Sequence, residues 1–148
     1  MCFPIFGPLY AACRSLGAPG VVLHGFVDDV VPHLQAADLF VSASRSEGMP
    51  LAVLEALSCG LPALLSAIAP HEEVAGILAD QGCVECFDAA DEGTIRRALG
   101  AALGGAAPAR PADASALSSD VMARRYADAY RALARRGDEF TLDLKIAI

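Results

Sequence analysis

Short apolar segments alternate with helix-like segments up to about residue 103, and this alternation restricts the fold more than any other feature. Short apolar runs that are covered on both faces are typical of parallel strands, which helices connect as crossovers. The sequence therefore predicts an α/β fold with a parallel sheet flanked by helices. The predicted strands cover residues 21–24, 38–42, 62–66 and 83–87, and the predicted helices cover residues 6–17, 29–37, 50–59, 71–80 and 92–103.

The composition changes after the last of these helices. Residues 105–117 are rich in Gly, Ala and Pro and lack apolar periodicity, which predicts a linker. An amphipathic helix is predicted to follow over residues 118–136, and the pattern leaves the conformation of residues 138–148 open. We therefore predict an α/β domain over residues 1–104, the linker over residues 105–117, and a C-terminal helix and tail over residues 118–148.

Size and charge restrict the partners of the chain. With 148 residues, of which 55% are hydrophobic, it can bury a core without a metal or disulfide. The formal net charge is −7, and an acidic body repels phosphate backbones. We therefore predict no nucleic-acid partner and interpret the Arg-rich C-terminal helix as a solvated face, with docking of a partner as the alternative.

Cysteine usage and the N-terminal sequence bear on cellular location. The number of cysteines is odd, and their spacing matches neither a disulfide framework nor a four-ligand zinc site. The apolar N-terminal segment begins without basic residues and is too short to span a bilayer. We therefore predict reduced thiols and a cytoplasmic protein. The cysteines are at positions 2, 13, 59, 83 and 86.

One carboxylate stands out within the most clearly delimited helix, which is predicted to open at Pro50 and to close before Gly60. Glu55 is the single formally charged residue between Gly48 and His71. A carboxylate on a buried helix needs hydrogen-bond donors, and the hydroxyls of a ligand would supply them. Alternatively, Glu55 marks the one solvated face of that helix. The pattern alone leaves both interpretations open.

A second carboxylate, Glu47, lies in the loop over residues 44–50, between a predicted strand and that helix. Parallel sheets bind ligands at the carboxyl ends of their strands, where helix N-termini offer N–H groups to an anion. Gly48 allows close approach of a ligand to the backbone, and a phosphate fits this geometry. Without a ligand, the same loop is an ordinary strand-to-helix turn.

The run over residues 38–62, DLFVSASRSEGMPLAVLEALSCGLP, resembles the E-x7-E signature region of retaining GT-B glycosyltransferases of family 4, the group 1 type. Flanking segments agree in order and spacing. HGFV at residues 24–27 is similar to a strand-end glycine motif, and APHEEV at residues 69–74 is similar to an acidic motif of that family. The resemblance covers about residues 5–135 and implies that residues 1–104 form a Rossmann-like donor-binding domain that lacks its first strand.

The resemblance implies transfer of a sugar from a UDP- or GDP-linked donor with retention of configuration, without a cofactor or an obligatory metal. Glu47 matches the catalytic glutamate, which holds donor-sugar hydroxyls and supports positive charge at the anomeric carbon. Glu55 matches the glutamate that accepts hydrogen bonds from the ribose. The implied donor-binding residues are Gly25, Arg45, Gly48, Met49, Pro50, Leu51 and Glu55.

The sequence also departs from that family. Its members form their site between two Rossmann-like domains, whereas this sequence starts beyond the acceptor domain, the first strand of the donor half and a Gly-Arg/Lys segment. We therefore expect a truncated C-terminal half that is inactive alone and needs an N-terminal acceptor domain or a partner chain. The alternatives are a non-catalytic nucleotide-sugar-binding module, a remnant and an interaction domain. Membrane association is left open.

Overall fold

The computed structural model describes residues 2–3, 9–111 and 113–135. The chain forms two compact units, over residues 1–36 and 37–148, which are described separately. No helix within the described ranges is long and apolar enough to cross a membrane.

The N-terminal unit is a small α/β element. Its helices and strands are β1 (Cys2–Phe3), α1 (Leu9–Leu16), β2 (Val22–Leu23) and α2 (Val31–Gln35). Strands β1 and β2 pair in parallel, with Cys2 opposite Val22. The carboxylate of Asp29 accepts a hydrogen bond of 3.1 Å from the Val31 N–H, which satisfies a donor at the start of α2.

The second unit contains a parallel three-stranded sheet in the order β3-β4-β5. Its elements are β3 (Phe40–Ser42), α3 (Leu51–Ser58), β4 (Ala63–Ser66), α4 (Ala69–Ile77), β5 (Val84–Phe87), α5 (Glu92–Ala101) and α6 (Ser119–Arg135). Short helical turns over Ala79–Gln81, Ala102–Ala106 and Ser115–Leu117 connect them. The sheet pairing places Ser42 opposite Leu65 and Ser66 opposite Phe87.

The core of this unit lies around the central strand β4, all of which is buried. An apolar strand with neighbours on both edges and helices packed against it has no solvated face, which explains its continuous apolar sequence. Helix α3 contributes Val53 and Leu57, and α4 contributes Val74. The buried cluster comprises Val53, Leu57, Ala63, Leu65, Val74, Leu78 and Cys83.

The predicted fold class is confirmed: the protein is α/β, with a parallel sheet, packed helices and a C-terminal helix. Each predicted strand contains an observed strand, but β1 was not predicted. Helix α4 begins at Ala69 rather than His71, because Pro70 is tolerated in a first turn where its missing N–H has no intrahelical partner. It ends at Ile77, before a turn that Gly82 closes with a φ of 60°.

Within the second unit, residues 105–111 and 113–117 make contacts with the rest of that unit, although composition predicts a linker there. The Ala109 N–H donates to the Gly82 carbonyl at 3.0 Å, and the side chain of Gln81 pairs with the backbone of Asp113. Leu117 packs against the core cluster. The proposed domain boundaries stay a prediction, and the predicted tail over residues 138–148 lies outside the described residues.

Candidate functional site

The candidate site lies at the carboxyl edge of the three-stranded sheet. Strands β3 and β4 are adjacent and parallel, so the loop after Ser42 and the turn after Ser66 leave the sheet at the same edge. Open parallel sheets bind ligands at this edge. The loop after β3 carries Glu47, and the first turn of α4, which follows β4, carries His71.

A hydrogen-bond network joins these two connections. Ser66, which is 1% exposed, donates from its hydroxyl to the Ser44 carbonyl at 2.6 Å. The Nδ1 atom of His71 lies 2.9 Å from the Ser66 carbonyl and 3.1 Å from its hydroxyl oxygen. The hydroxyls of Ser42 and Ser44 are 3.2 Å apart. The β3 loop is therefore tied to the turn after β4 by buried and half-buried polar contacts.

The carboxylate of Glu47 faces the other side of the same imidazole. Its Oε1 atom lies 3.6 Å from Nε2 of His71, an ion-pair distance that exceeds hydrogen-bond range. The side chain of His71 is fully buried, whereas that of Glu47 is 22% exposed. Glu47 is thus held against the protein on one side and remains accessible on the other.

Glu55 lies on the exposed side of α3, opposite the buried residues Val53, Ala56 and Leu57. The carboxylate therefore lies on the solvated face of α3, and its role as a ligand for ribose hydroxyls stays a prediction. Among the described residues it has no hydrogen-bond or ion-pair partner. It can accept hydrogen bonds from an external ligand without first breaking a contact.

Several backbone N–H groups in the first turn of α3 donate hydrogen bonds to carbonyls at the end of the preceding loop. The Leu51 N–H donates to the Met49 carbonyl, and the Val53 and Leu54 N–H groups both donate to Pro50, at 2.9 to 3.1 Å. Pro50 is buried and occupies the N-cap position, immediately before the first helical residue, Leu51.

Space is open beside Gly48, because a Cβ built there would meet no atom within 4 Å. Packing within the described residues therefore does not require glycine at this position. Close approach of a ligand remains a reason for it. Met49 and Leu51 next to it are 40% and 59% exposed.

Arg45 and Gly25 are two further residues predicted to bind the donor. Arg45 is exposed in the loop after β3. Gly25 belongs to the N-terminal unit and has a φ of 69°, a conformation that favours glycine. The sequence pattern includes His71 only as part of the APHEEV segment and does not single out Ser66. The available signal was position: Ser66 is the last residue of a predicted strand, and His71 follows that strand within the first turn of the next helix.

No group of three or more His, Cys, Asp or Glu side chains in residues 11–111 and 113–133 is arranged to hold a metal ion. Burial raises the pKa of the Cys83 thiol, and burial followed by the nearby Glu72 carboxylate raises that of Cys86. Both thiols are therefore protonated at neutral pH and poor nucleophiles.

Comparison with known proteins gives two relatives in addition to a family match. A 48-residue segment, 32% of this chain, is 50% identical to UDP-Gal:alpha-D-GlcNAc-diphosphoundecaprenol alpha-1,3-galactosyltransferase of Escherichia coli. An 86-residue segment, 58% of this chain, is 34% identical to N,N'-diacetylbacillosaminyl-diphospho-undecaprenol alpha-1,3-N-acetylgalactosaminyltransferase of Campylobacter jejuni. These segments cover 12% and 20% of the two relatives, so the match spans a small part of their length.

The family described as "Glycosyl transferases group 1" matches residues 4–92, which include Glu47, Glu55 and His71. This range is more than half of the chain and contains the whole three-stranded sheet. The chain therefore belongs to the group 1 glycosyltransferase family.

Proposed function

We propose that this chain carries the donor-binding half-site of a retaining GT-B glycosyltransferase of family 4, with Glu47 and Glu55 as the two glutamates of its E-x7-E motif. The observation that carries the proposal is the contrast between these carboxylates. Glu47 is half-buried against His71 at the carboxyl edge of the sheet, whereas Glu55 is exposed and unpaired within the described ranges. One is held in place and the other is available to a ligand.

The proposed roles follow from the chemistry of carboxylates. An ionised carboxylate only accepts hydrogen bonds, which suits vicinal hydroxyl groups. Glu47 would hold hydroxyls of the donor sugar, and its negative charge would stabilise the positive charge that develops at the anomeric carbon. Glu55 would accept hydrogen bonds from the ribose. The open space beside Gly48 and the exposed Arg45 would receive the diphosphate.

The transfer step needs no group beyond those of donor, acceptor and protein. The bond between the anomeric carbon and the diphosphate oxygen breaks, and the acceptor oxygen forms the new bond on the same face of the sugar. The departing diphosphate takes the proton of the acceptor hydroxyl. The proposal therefore includes no obligatory metal, which EDTA treatment of the complete enzyme would test.

The relatives favour one donor and one class of acceptor. The name of the Escherichia coli relative specifies UDP-Gal, and both names specify acceptors linked to diphospho-undecaprenol. We propose a UDP-linked sugar before a GDP-linked one, and a lipid-linked saccharide as acceptor. Such an acceptor would bring the complete enzyme to a membrane surface. The cytoplasmic location stays a prediction.

Transfer would require an acceptor domain, supplied by an N-terminal domain or by a partner chain. The isolated chain is then expected to bind donor without transferring it. A non-catalytic nucleotide-sugar-binding module shares the same exposed Glu55 and is the second candidate. The two differ when an acceptor domain is supplied, because only the first then gains transfer activity.

A thermal shift titration with UDP, GDP and UDP-galactose tests donor binding. A ligand at 100 times its Kd stabilises the folded state by about 2.7 kcal/mol, which raises the Tm of a domain of this size by roughly 5–10 °C. We expect this shift with UDP and UDP-galactose, and its loss in Glu55→Gln. Glu85→Gln, at an exposed glutamate of β5, is the matched control and should retain the shift. A folded chain that responds to none of the three ligands contradicts the proposal.

A further inference from the structure

Among the buried side-chain nitrogen and oxygen atoms of the described residues, only Nε2 of His71 lacks a hydrogen-bond partner. This atom is shielded from solvent and lies 3.6 Å from Oε1 of Glu47. We propose that His71 is a positioning residue that holds the Glu47 carboxylate through one proton shared between Nε2 and Oε1. The contact is inferred from geometry, and its consequence for the donor sugar rests on the proposed function of Glu47.

Ser66 determines which imidazole nitrogen carries the first proton. The Ser66 carbonyl can only accept, and it lies 2.9 Å from Nδ1, so Nδ1 carries a proton and donates it. The Ser66 hydroxyl directs its own hydrogen to the Ser44 carbonyl at 2.6 Å, which leaves its oxygen to accept from Nδ1 at 3.1 Å. The proton on Nδ1 is therefore committed to Ser66.

The opposite nitrogen then has two states. Without a proton, Nε2 would present a lone pair to the lone pairs of the Glu47 carboxylate, away from water, and both groups would repel each other. With a proton on Nε2, the imidazole ring donates it to the Glu47 carboxylate, which remains an acceptor, and the buried nitrogen is satisfied. A small rotation of the Glu47 side chain would bring the two atoms from 3.6 Å into hydrogen-bond range.

The burial of Nε2 also limits what His71 can do. Because this atom is shielded from solvent, it cannot contact a donor sugar itself. Glu47 is 22% exposed and can present its other oxygen to a ligand. His71 therefore acts through Glu47 by fixing the orientation of that carboxylate, which reduces the freedom lost when the sugar binds.

Nitrogen-15 NMR of the ligand-free chain tests the shared proton directly. We expect His71 Nδ1 to be protonated and Nε2 to show protonated or intermediate character, with His24 and His33 as references in the same spectrum. Glu47→Gln should convert Nε2 of His71 to the unprotonated form, whereas Glu55→Gln should leave it unchanged. An unprotonated Nε2 in the wild type, or a signal that Glu47→Gln does not alter, overturns the proposal.

Two conservative substitutions test the positioning role. The amide of asparagine can replace Nδ1 towards Ser66 but cannot reach Glu47, whereas the longer glutamine can place an N–H near the position of Nε2. The measured quantity is the ratio of the Kd of UDP to that of UDP-galactose, which isolates the contribution of the sugar. We expect this ratio to fall about tenfold in His71→Asn and to recover in His71→Gln. The Kd of UDP itself should change little in either variant.

These readouts separate the inference from the proposed function. If the wild type does not bind UDP-galactose, the donor proposal fails, and the NMR result alone decides the contact between His71 and Glu47. If UDP-galactose binds and His71→Asn keeps the wild-type ratio, the positioning role is wrong although donor binding stands. If Glu47→Gln lowers the ratio and the double variant with His71→Asn lowers it no further, the two residues act as one unit.

Discussion

The hydroxyl of Ser66 connects the two loops of the site, and its removal gives a prediction that can be worked out from the structure. In Ser66→Ala, the Ser44 carbonyl loses the donor that lies 2.6 Å away, and His71 Nδ1 loses its 3.1 Å contact while keeping the Ser66 carbonyl. An unpaired buried polar group costs about 1–3 kcal/mol. We expect Ser66→Ala to lower the free energy of unfolding by about 2 kcal/mol, and the Tm by roughly 4–8 °C.

Ser58 provides a matched control for this substitution. Its hydroxyl donates to the Leu54 carbonyl at 2.7 Å, nearly the same length, but on the exposed surface of α3. Water can replace that bond, so Ser58→Ala should change the free energy of unfolding by less than about 0.5 kcal/mol.

Urea denaturation followed by circular dichroism measures both variants. The urea midpoint of Ser66→Ala should lie below that of Ser58→Ala. The dependence of the unfolding free energy on urea concentration should be equal in both variants, because neither substitution changes the surface exposed on unfolding. Equal midpoints for Ser66→Ala and Ser58→Ala would show that the buried network contributes nothing beyond an exposed hydrogen bond, and would refute the reasoning.

Two further predictions concern stability. Because burial raises the pKa of the Cys83 and Cys86 thiols, the folded chain keeps protons that the unfolded chain releases. This stabilisation is present below the ordinary thiol pKa and is lost as the pH rises through the raised values, so urea midpoints should fall on going from about pH 7 to about pH 10, and by less in Cys83→Ala. Gly82→Ala should destabilise the chain by about 1–2 kcal/mol, because its φ of 60° is strained for a side chain although the space is open. Gly76→Ala, on helical backbone in equally open space, should stabilise it by about 0.5–1 kcal/mol; a gain of stability in Gly82→Ala would contradict the assignment.

The parts of the fold that could be predicted are those whose local sequence marks their ends or their burial. Helix α3 runs from Leu51 to Ser58, within one residue of the prediction at each end, because Pro50 and Gly60 delimit it. Strand β4 was predicted as buried on both faces because it has no polar residue before Ser66, and it is the central strand. Local chemistry was sufficient in both cases.

Other elements depend on contacts between residues distant in sequence. Strand β1 is two residues long, too short to have a period, and is defined only by its pairing with β2. The segment after residue 104 has the composition of a linker, yet the Ala109 N–H meets the Gly82 carbonyl and Leu117 reaches the core. Small residues can pack against a folded domain as readily as they form a linker. Composition therefore cannot distinguish a linker from a segment that lies on the surface of the domain.

The contact between Glu47 and His71 shows how much of the site follows from topology. A search for histidine spacing misses His71 because its partner is a carboxylate in another loop, 24 positions earlier in the sequence. Once β3 and β4 are predicted as parallel neighbours, however, the residues that follow each strand must leave the sheet at one edge. The register that places Ser42 opposite Leu65 therefore brings the loop of Glu47 beside the first turn of α4. A carboxylate after one strand and a histidine after the next are then a candidate pair, and the orientation of Ser66 determines which nitrogen faces Glu47.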